Sequence, residues 1–314
     1  MRRRTTIALV IATAVVVVAA GVLGGLALLG GSGSAGPECT VPAGPGDAAG
    51  DGAGDGSAPD GSPVTLDAVQ LQHASTINAV GLSRGAPERA RVIALATAWQ
   101  ESSLRNLDHG DRDSVGLFQQ RPSQGWGSVA QIMDPVYSAG KFYDALLRVP
   151  GWQRLPLTQA AQAVQYSAFP DAYAKWEHDA RILAAALGGA QPVALSCRAG
   201  ATASTAAAPV RPPLAGTAAA HPALSAVLAA AQAELGGLSV VSLAPDGRRA
   251  TVTATLPDAS SAVAGRALAA WAVAHATTMH VTDVSVGDRS WADHAWTAAQ
   301  QAMPAGEVTI VTGD

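Results

Sequence analysis

The chain has 314 residues, 48% of them hydrophobic and only 14% charged, which exceeds what one ordinary domain needs and predicts two modest domains joined by linkers. Lysine occurs only as Lys141 and Lys175; the formal net charge is −4, and beyond Arg2, Arg3 and Arg4 there remain 17 basic against 24 acidic residues, a balance of −7. Nucleic acid is thereby excluded as a partner, because neutralising phosphates requires a basic face that this chain cannot supply.

After the N-terminal arginines, the run from Ile7 to Leu29 carries no charge and is long enough, at roughly 20 apolar residues per crossing, to span a bilayer as a helix. Basic residues stay on the cytoplasmic side, so residues 1–30 read as a single-pass signal anchor in the cell membrane, with 31–314 outside. A cleaved signal peptide is the rival reading, since small residues follow at 31–36, although such apolar regions are usually shorter. Export puts Cys39 and Cys197, the only two cysteines, in an oxidising compartment and predicts a disulfide between them. Closing a loop of that size stabilises by roughly 4 to 5 kcal/mol in the chain-entropy model; two unpaired thiols are the alternative.

Residues 31–62 are mainly Gly, Ala, Asp, Ser and Pro without apolar period, a composition that reads as a flexible tether, and 199–220 reads as a second, Ala/Pro-rich linker. Between them, 63–198 is expected to be a mainly helical domain, because apolar and small residues recur at spacings of three and four over 66–81, 87–104, 134–149 and 158–168. Pro87 and the pair Asp134-Pro135 give helix-start signals. Residues 221–314 read as a small α+β domain. Its expected elements are a helix near 222–236, strands at 238–243 and 250–256 around an Asp246-Gly247 turn, a helix near 258–277, and strands at 280–286 and 307–312. The expected fold class is therefore α+β, preceded by a transmembrane helix.

The chemistry concentrates between Trp99 and Trp126. Glu101 falls near the C-terminal end of a predicted helix, and counting back by three and four places Thr97, Ala94 and Ala90 on its stripe. Small apolar neighbours and the negative end of a helix dipole both disfavour the carboxylate anion. A glutamate kept protonated near neutral pH is what a general acid for glycosidic cleavage must be; on periodicity alone, a plain surface glutamate at a helix end is the better fit.

Glu101-Ser102, followed fifteen residues after the glutamate by Gly116-Leu117-Phe118-Gln119, resembles the ES and GLMQ-type motifs of the soluble lytic transglycosylase family, which has a lysozyme-like fold. Asp134-Pro135 with Gly140 and Tyr143, and then Gln165-Tyr166-Ser167-Ala168-Phe169-Pro170 ending in Tyr173 and Trp176, look like that family's later DP and YNAGP segments, in the same order. The resemblance spans Pro87 to Ala186, and the wording from Gly110 to Gly127 is similar to exported actinobacterial proteins carrying this domain. It implies a peptidoglycan-cleaving enzyme with Glu101 as catalytic acid and then base. Gln119 and the backbone around Gly116 and Phe118 would line the sugar cleft, Ser102 would support Glu101, and Tyr166 would bond near the acid or the substrate acetamido group. Phe118 replaces the family's usual Met, Ser167 stands where the family has Asn, and Phe169 stands where it has Gly.

Asp108, Asp111 and Asp113 lie in the loop after Glu101, and a hydrolytic lysozyme would use one of them as a second carboxylate. Their order lacks the glycine and closing glutamate of a calcium loop, so no metal and no cofactor is expected. Trp126 is a candidate for stacking on sugar. In 221–314, His221, His275, His280 and His294 lack zinc-ligand spacing, while Trp271, Trp291 and Trp296 read as core before sugar platform. That domain is expected to position the enzyme or to bind an envelope protein partner. Two rival functions stand beside the enzyme: a lysozyme-like module that grips glycan strands without cutting, and an envelope-assembly component.

Overall fold

The computed structural model describes residues 38–44, 62–165, 170–198 and 211–313. The segment read as a membrane anchor lies outside them. Among the described residues, no helix is long and apolar enough to cross a membrane. The fold is mixed α+β.

Helix α1 (Ala68–Ser83) starts in a capping box: the Asp67 carboxylate accepts from Gln70 N at 2.9 Å while Gln70 Oε1 accepts from Asp67 N at 3.1 Å. An amphipathic stripe would bury one side of it. Instead Leu71, Ala74, Ile77 and Val80 are buried together with Ser75, Thr76 and Asn78, because α1 is covered by helices from both halves of the chain. Helix α2 (Glu88–Ser102) begins directly after Pro87, which occupies the cap position. Arg91 on α2 is buried, and its guanidinium donates to Asn78 Oδ1 at 2.7 Å and Ala184 O at 3.0 Å, while Asn78 Nδ2 donates to Leu187 O at 3.0 Å. A cation and an amide thus cap the C-terminal carbonyls of the helix Glu177–Leu187, where the dipole favours positive charge.

A short helix α3 (Val129–Ile132) precedes α4 (Pro135–Leu146), whose N-cap Asp134 accepts from Val136 N at 3.0 Å with proline at the first helical position. Then come α5 (Leu157–Gln165), a 3₁₀ turn over Pro170–Trp176, and α6 (Glu177–Leu187). The ends of this helical region are tied by a three-stranded sheet of order β2-β1-β3, comprising β1 (Glu38–Val41), β2 (Val64–Asp67) and β3 (Ser196–Cys197). Cys39 lies opposite Cys197 in register, and the two form the expected disulfide. Glu38–Val41 falls within the stretch read from composition as tether. Pairing on both sides and the disulfide order these four residues although their neighbours carry no apolar pattern.

The second region opens with α7 (Pro222–Leu235) and a six-stranded antiparallel sheet of order β4-β5-β9-β6-β7-β8. Its strands are β4 (Leu238–Leu243), β5 (Arg249–Ala254), β6 (Val281–Val286), β7 (Arg289–Ala292), β8 (Ala295–Ala298) and β9 (Glu307–Thr312), and α8 (Ser261–Ala274) and α9 (Ala276–Met279) intervene between β5 and β6. Alternation puts Ala250, Val252, Val284, Trp291, Val308 and Ile310 into the core against α8. The β7–β8 hairpin is absent from the sequence expectation. Its two turn residues, Asp293 and His294, both have positive φ (47° and 67°) without the glycine that usually announces such a turn.

The two regions share one hydrophobic core, with α1 packed against both α7 and α8. Polar bonds reinforce the seam. Arg266 Nε donates to Gly189 O at 2.7 Å, Trp296 Nε1 to Leu195 O at 3.0 Å, and Arg289 to Val193 O at 3.0 Å. Part of the stretch read as linker also docks: Arg211 pairs with the α4 cap Asp134 at 2.6 Å, and Thr217 is buried.

Candidate active site around Glu101

Glu101 lies in the last turn of α2, half-buried, and the stripe behind it is dry: Ala90, Ala94 and Thr97 are fully buried. Burial holds its carboxyl above the usual range, while hydrogen bonds from Tyr173 and Gln165 pull the other way. The Tyr173 hydroxyl donates to Glu101 Oε1 at 2.7 Å. Tyr173 itself is fully buried, so the phenol reaches the carboxyl from inside the protein. Beside it, Trp99 and Trp176 stack face to face with centroids 5.0 Å apart, and Trp176 Nε1 donates to Gln100 Oε1 at 3.0 Å.

Ser102 is buried. Its hydroxyl lies 2.7 Å from Leu117 O and 3.0 Å from Ala98 O, and it accepts from Arg105 N at 3.2 Å. It therefore fastens the end of the Glu101 helix to the Gly116–Gln119 turn and presents nothing to solvent. That turn is closed by paired backbone bonds of 3.0 Å between Val115 and Gln120. Gly116 has φ +82°, and a Cβ there would meet Ile132 O at 2.9 Å, so the turn tolerates only glycine. Gln165 Nε2 donates to Phe118 O at 2.7 Å, which joins α5, the turn and Glu101 through one amide.

The other residues singled out from sequence are placed as follows. The Phe118 ring is fully buried and stacked on Phe142 at 4.6 Å, so a ligand would meet only its backbone. The Gln119 amide turns onto its own loop, donating to Gly116 O at 3.2 Å and His109 O at 3.3 Å. Trp126 is half-buried against the core, and its carbonyl accepts from Tyr137 Oη at 3.1 Å. Tyr166 and Ser167 lie outside the described residues. Tyr173 and Gln165, both quoted from sequence only as the ends of a motif, are the side chains acting on Glu101. Helical spacing could not have found Tyr173, because it follows a break in α structure.

None of the three loop aspartates faces Glu101 as a partner; the groups that shift Glu101 are burial, Tyr173 and Gln165. Asp113 accepts from Arg121 Nε at 2.7 Å and from Ser123 N and Oγ at 2.8 and 2.9 Å, which drives its carboxyl far below the carboxylate range. Asp108 bonds the neighbouring His109 at 2.7 Å and is likewise lowered, and Asp111 pairs with Arg112 at 3.8 Å. All three are paired within their own turn. Among the described residues, no group of three His, Cys, Asp or Glu is arranged to hold a metal ion.

Compared with known protein families and with curated proteins, the chain matches none.

Proposed function

We propose that the chain is a membrane-anchored, exported lytic transglycosylase that cleaves the β-1,4 bond between N-acetylmuramic acid and N-acetylglucosamine in peptidoglycan glycan strands. The observation that carries this reading is a half-buried carboxyl, Glu101, held above its ordinary pKa at a helix end, in the position the motif resemblance gives the catalytic acid. Protonated Glu101 gives its proton to the glycosidic oxygen as the bond to the muramic C1 breaks. The resulting carboxylate then takes the proton of the same sugar's C6 hydroxyl as that oxygen bonds to C1, which yields a 1,6-anhydro ring and returns Glu101 to its acid form. Atoms and protons balance without water, so no second carboxylate is required, in keeping with the three aspartates being committed elsewhere. The run Ile7–Leu29 would hold the enzyme at the outer face of the membrane, within reach of the wall.

The test is mass spectrometry of muropeptides released from sacculi by the full chain in detergent, beside Glu101→Gln. Anhydro-muropeptides that fall by about 10²- to 10⁴-fold in the variant support the reading. Reducing ends lost in the variant would make it a hydrolytic lysozyme, and sacculus binding without release would leave a glycan-gripping module.

A further inference from the structure

Two residues beyond Glu101, the chain leaves α2 through Ser103 and Leu104, both in the left-handed region at φ 53° and 58°. For a buried leucine this is an uncommon backbone state that surrounding contacts must hold. Three groups on one face of α1 and its cap do so. Asp67 pairs with Arg105, Gln70 Nε2 donates to Ser103 O at 3.0 Å, and His73 Nδ1 lies 2.8 Å from Leu104 O. A carbonyl can only accept, so Nδ1 carries the hydrogen and His73 Nε2 is left facing the other way.

Behind His73 stands a second buried cluster, contributed by the α+β region. The Glu234 carboxylate accepts from Trp271 Nε1 at 2.7 Å, and its other oxygen lies 3.6 Å from His275 Nε2. His275 stacks on Trp271 at 4.1 Å and is 2.8 Å from Trp271 O through Nδ1. By the same carbonyl argument its Nδ1 bears a hydrogen, so Nε2 is the ring atom turned toward the Glu234 carboxylate. The charged groups that face His73 are Glu234 from α7, His275 at the α8–α9 junction and Asp67 from the end of β2.

We propose that the α+β region positions Glu101 through α1: α7 and α8 hold that helix, and Asp67, Gln70 and His73 at its start hold the Leu104 turn that ends the Glu101 helix. The catalytic consequence rests on the transglycosylase reading above; the mechanical one does not. His73 is a positioning residue, and burial, the largest influence on it, holds its pKa below the ordinary value, which keeps the ring neutral in the packed seam.

The experiment uses the full chain and two readouts: kcat and KM for anhydro-muropeptide release, and amide exchange at residues 103–105 relative to α4. His73→Leu removes the donor and is expected to lower kcat by about 10- to 100-fold with KM little changed, and to speed exchange at 103–105. His73→Asn, which keeps a donor near the Nδ1 position, is expected to restore both. Glu234→Gln, in the other region, is expected to speed exchange at 103–105 while α4 is unaffected. Unchanged exchange at 103–105 in His73→Leu, failure of Asn to rescue, or a Glu234→Gln effect confined to α7–α9 overturns the proposal. If the wild-type chain releases no muropeptide, the enzymatic reading falls and the exchange arm alone decides this one.

Discussion

Each region of the protein sets one glutamate against an aromatic donor, and the two carboxyls have opposite surroundings. Glu101 accepts from the Tyr173 hydroxyl and Glu234 from the Trp271 indole, both at 2.7 Å. Glu234 then lies 3.6 Å from the His275 ring nitrogen, whereas among the described residues no cation acts on Glu101, which burial pushes toward its neutral acid. A buried charge that is paired is structural, and removing its partner strands the other; a buried carboxyl left unpaired on one side is available for proton transfer. The same chemical unit thus serves as a strut in the α+β region and as a reactive group in the helical one.

If the strut argument holds, the regions are not separable, and cutting the chain gives the largest effect. Residues 36–198 alone would lose the cover that α7 and α8 give α1, a helix whose Leu71, Ile77 and Val80 are fully or almost fully buried. Uncovering each large apolar side chain loses roughly 1.5 to 3 kcal/mol, and three or four together approach a whole domain's stability. The fragment is expected to melt without a cooperative transition by calorimetry while residues 36–314 melt sharply. A cooperative melt of the fragment would break the comparison and restore two independent domains.

The disulfide comes next. Cys39–Cys197 closes a sequence separation of 158 residues, and replacing both cysteines by serine is expected to remove about 5 kcal/mol in the chain-entropy model, read as a fall in denaturant midpoint. A loss under about 1 kcal/mol would mean that β1 pairing alone holds the helical region shut.

Legibility differed between the regions for physical reasons. Helices α2 and α4 were readable because their starts carry proline and aspartate signals and because Thr97, Ala94 and Ala90 repeat at helical spacing behind Glu101. Most of the α+β elements were readable from alternation and the Asp246-Gly247 turn, where Asp246 accepts from Arg248 N at 3.0 Å. Two things were not. β1 sits in polar sequence and exists by virtue of a partner 158 residues away, and the β7–β8 turn uses Asp and His where glycine is usual. At the site, the acid, its serine and the glycine turn stood out as a motif, but the hydroxyl that touches the acid did not. Tyr173 reaches Glu101 across 72 residues, and nothing local in sequence records that contact. His275 was read as ordinary, and its partner Glu234 carries no motif either.

The mildest change sharpens the comparison most, because it alters only the donor on Glu101. Tyr173→Phe keeps the ring that fills the core and removes the hydroxyl at 2.7 Å. That hydrogen bond favours the carboxylate and so lowers a pKa that burial raises; without it the pKa climbs further. Glu101 must be protonated to act, so activity falls as pH rises through its pKa, and the alkaline limb of kcat/KM is expected to move to higher pH in the variant. The linkage has the matching sign. A carboxyl whose folded pKa exceeds its unfolded one destabilises the fold progressively as pH rises above about 4.3, the ordinary glutamate value, and this penalty extends to higher pH in Tyr173→Phe. Gln165→Leu should shift the limb in the same direction by less, since its hydrogen bond is the weaker influence. An alkaline limb that moves toward acid, or a loss of activity equal at every pH, would mean that Tyr173 serves Glu101 as something other than a hydrogen-bond donor to its anion. The two glutamates would then differ in more than their partners' charge.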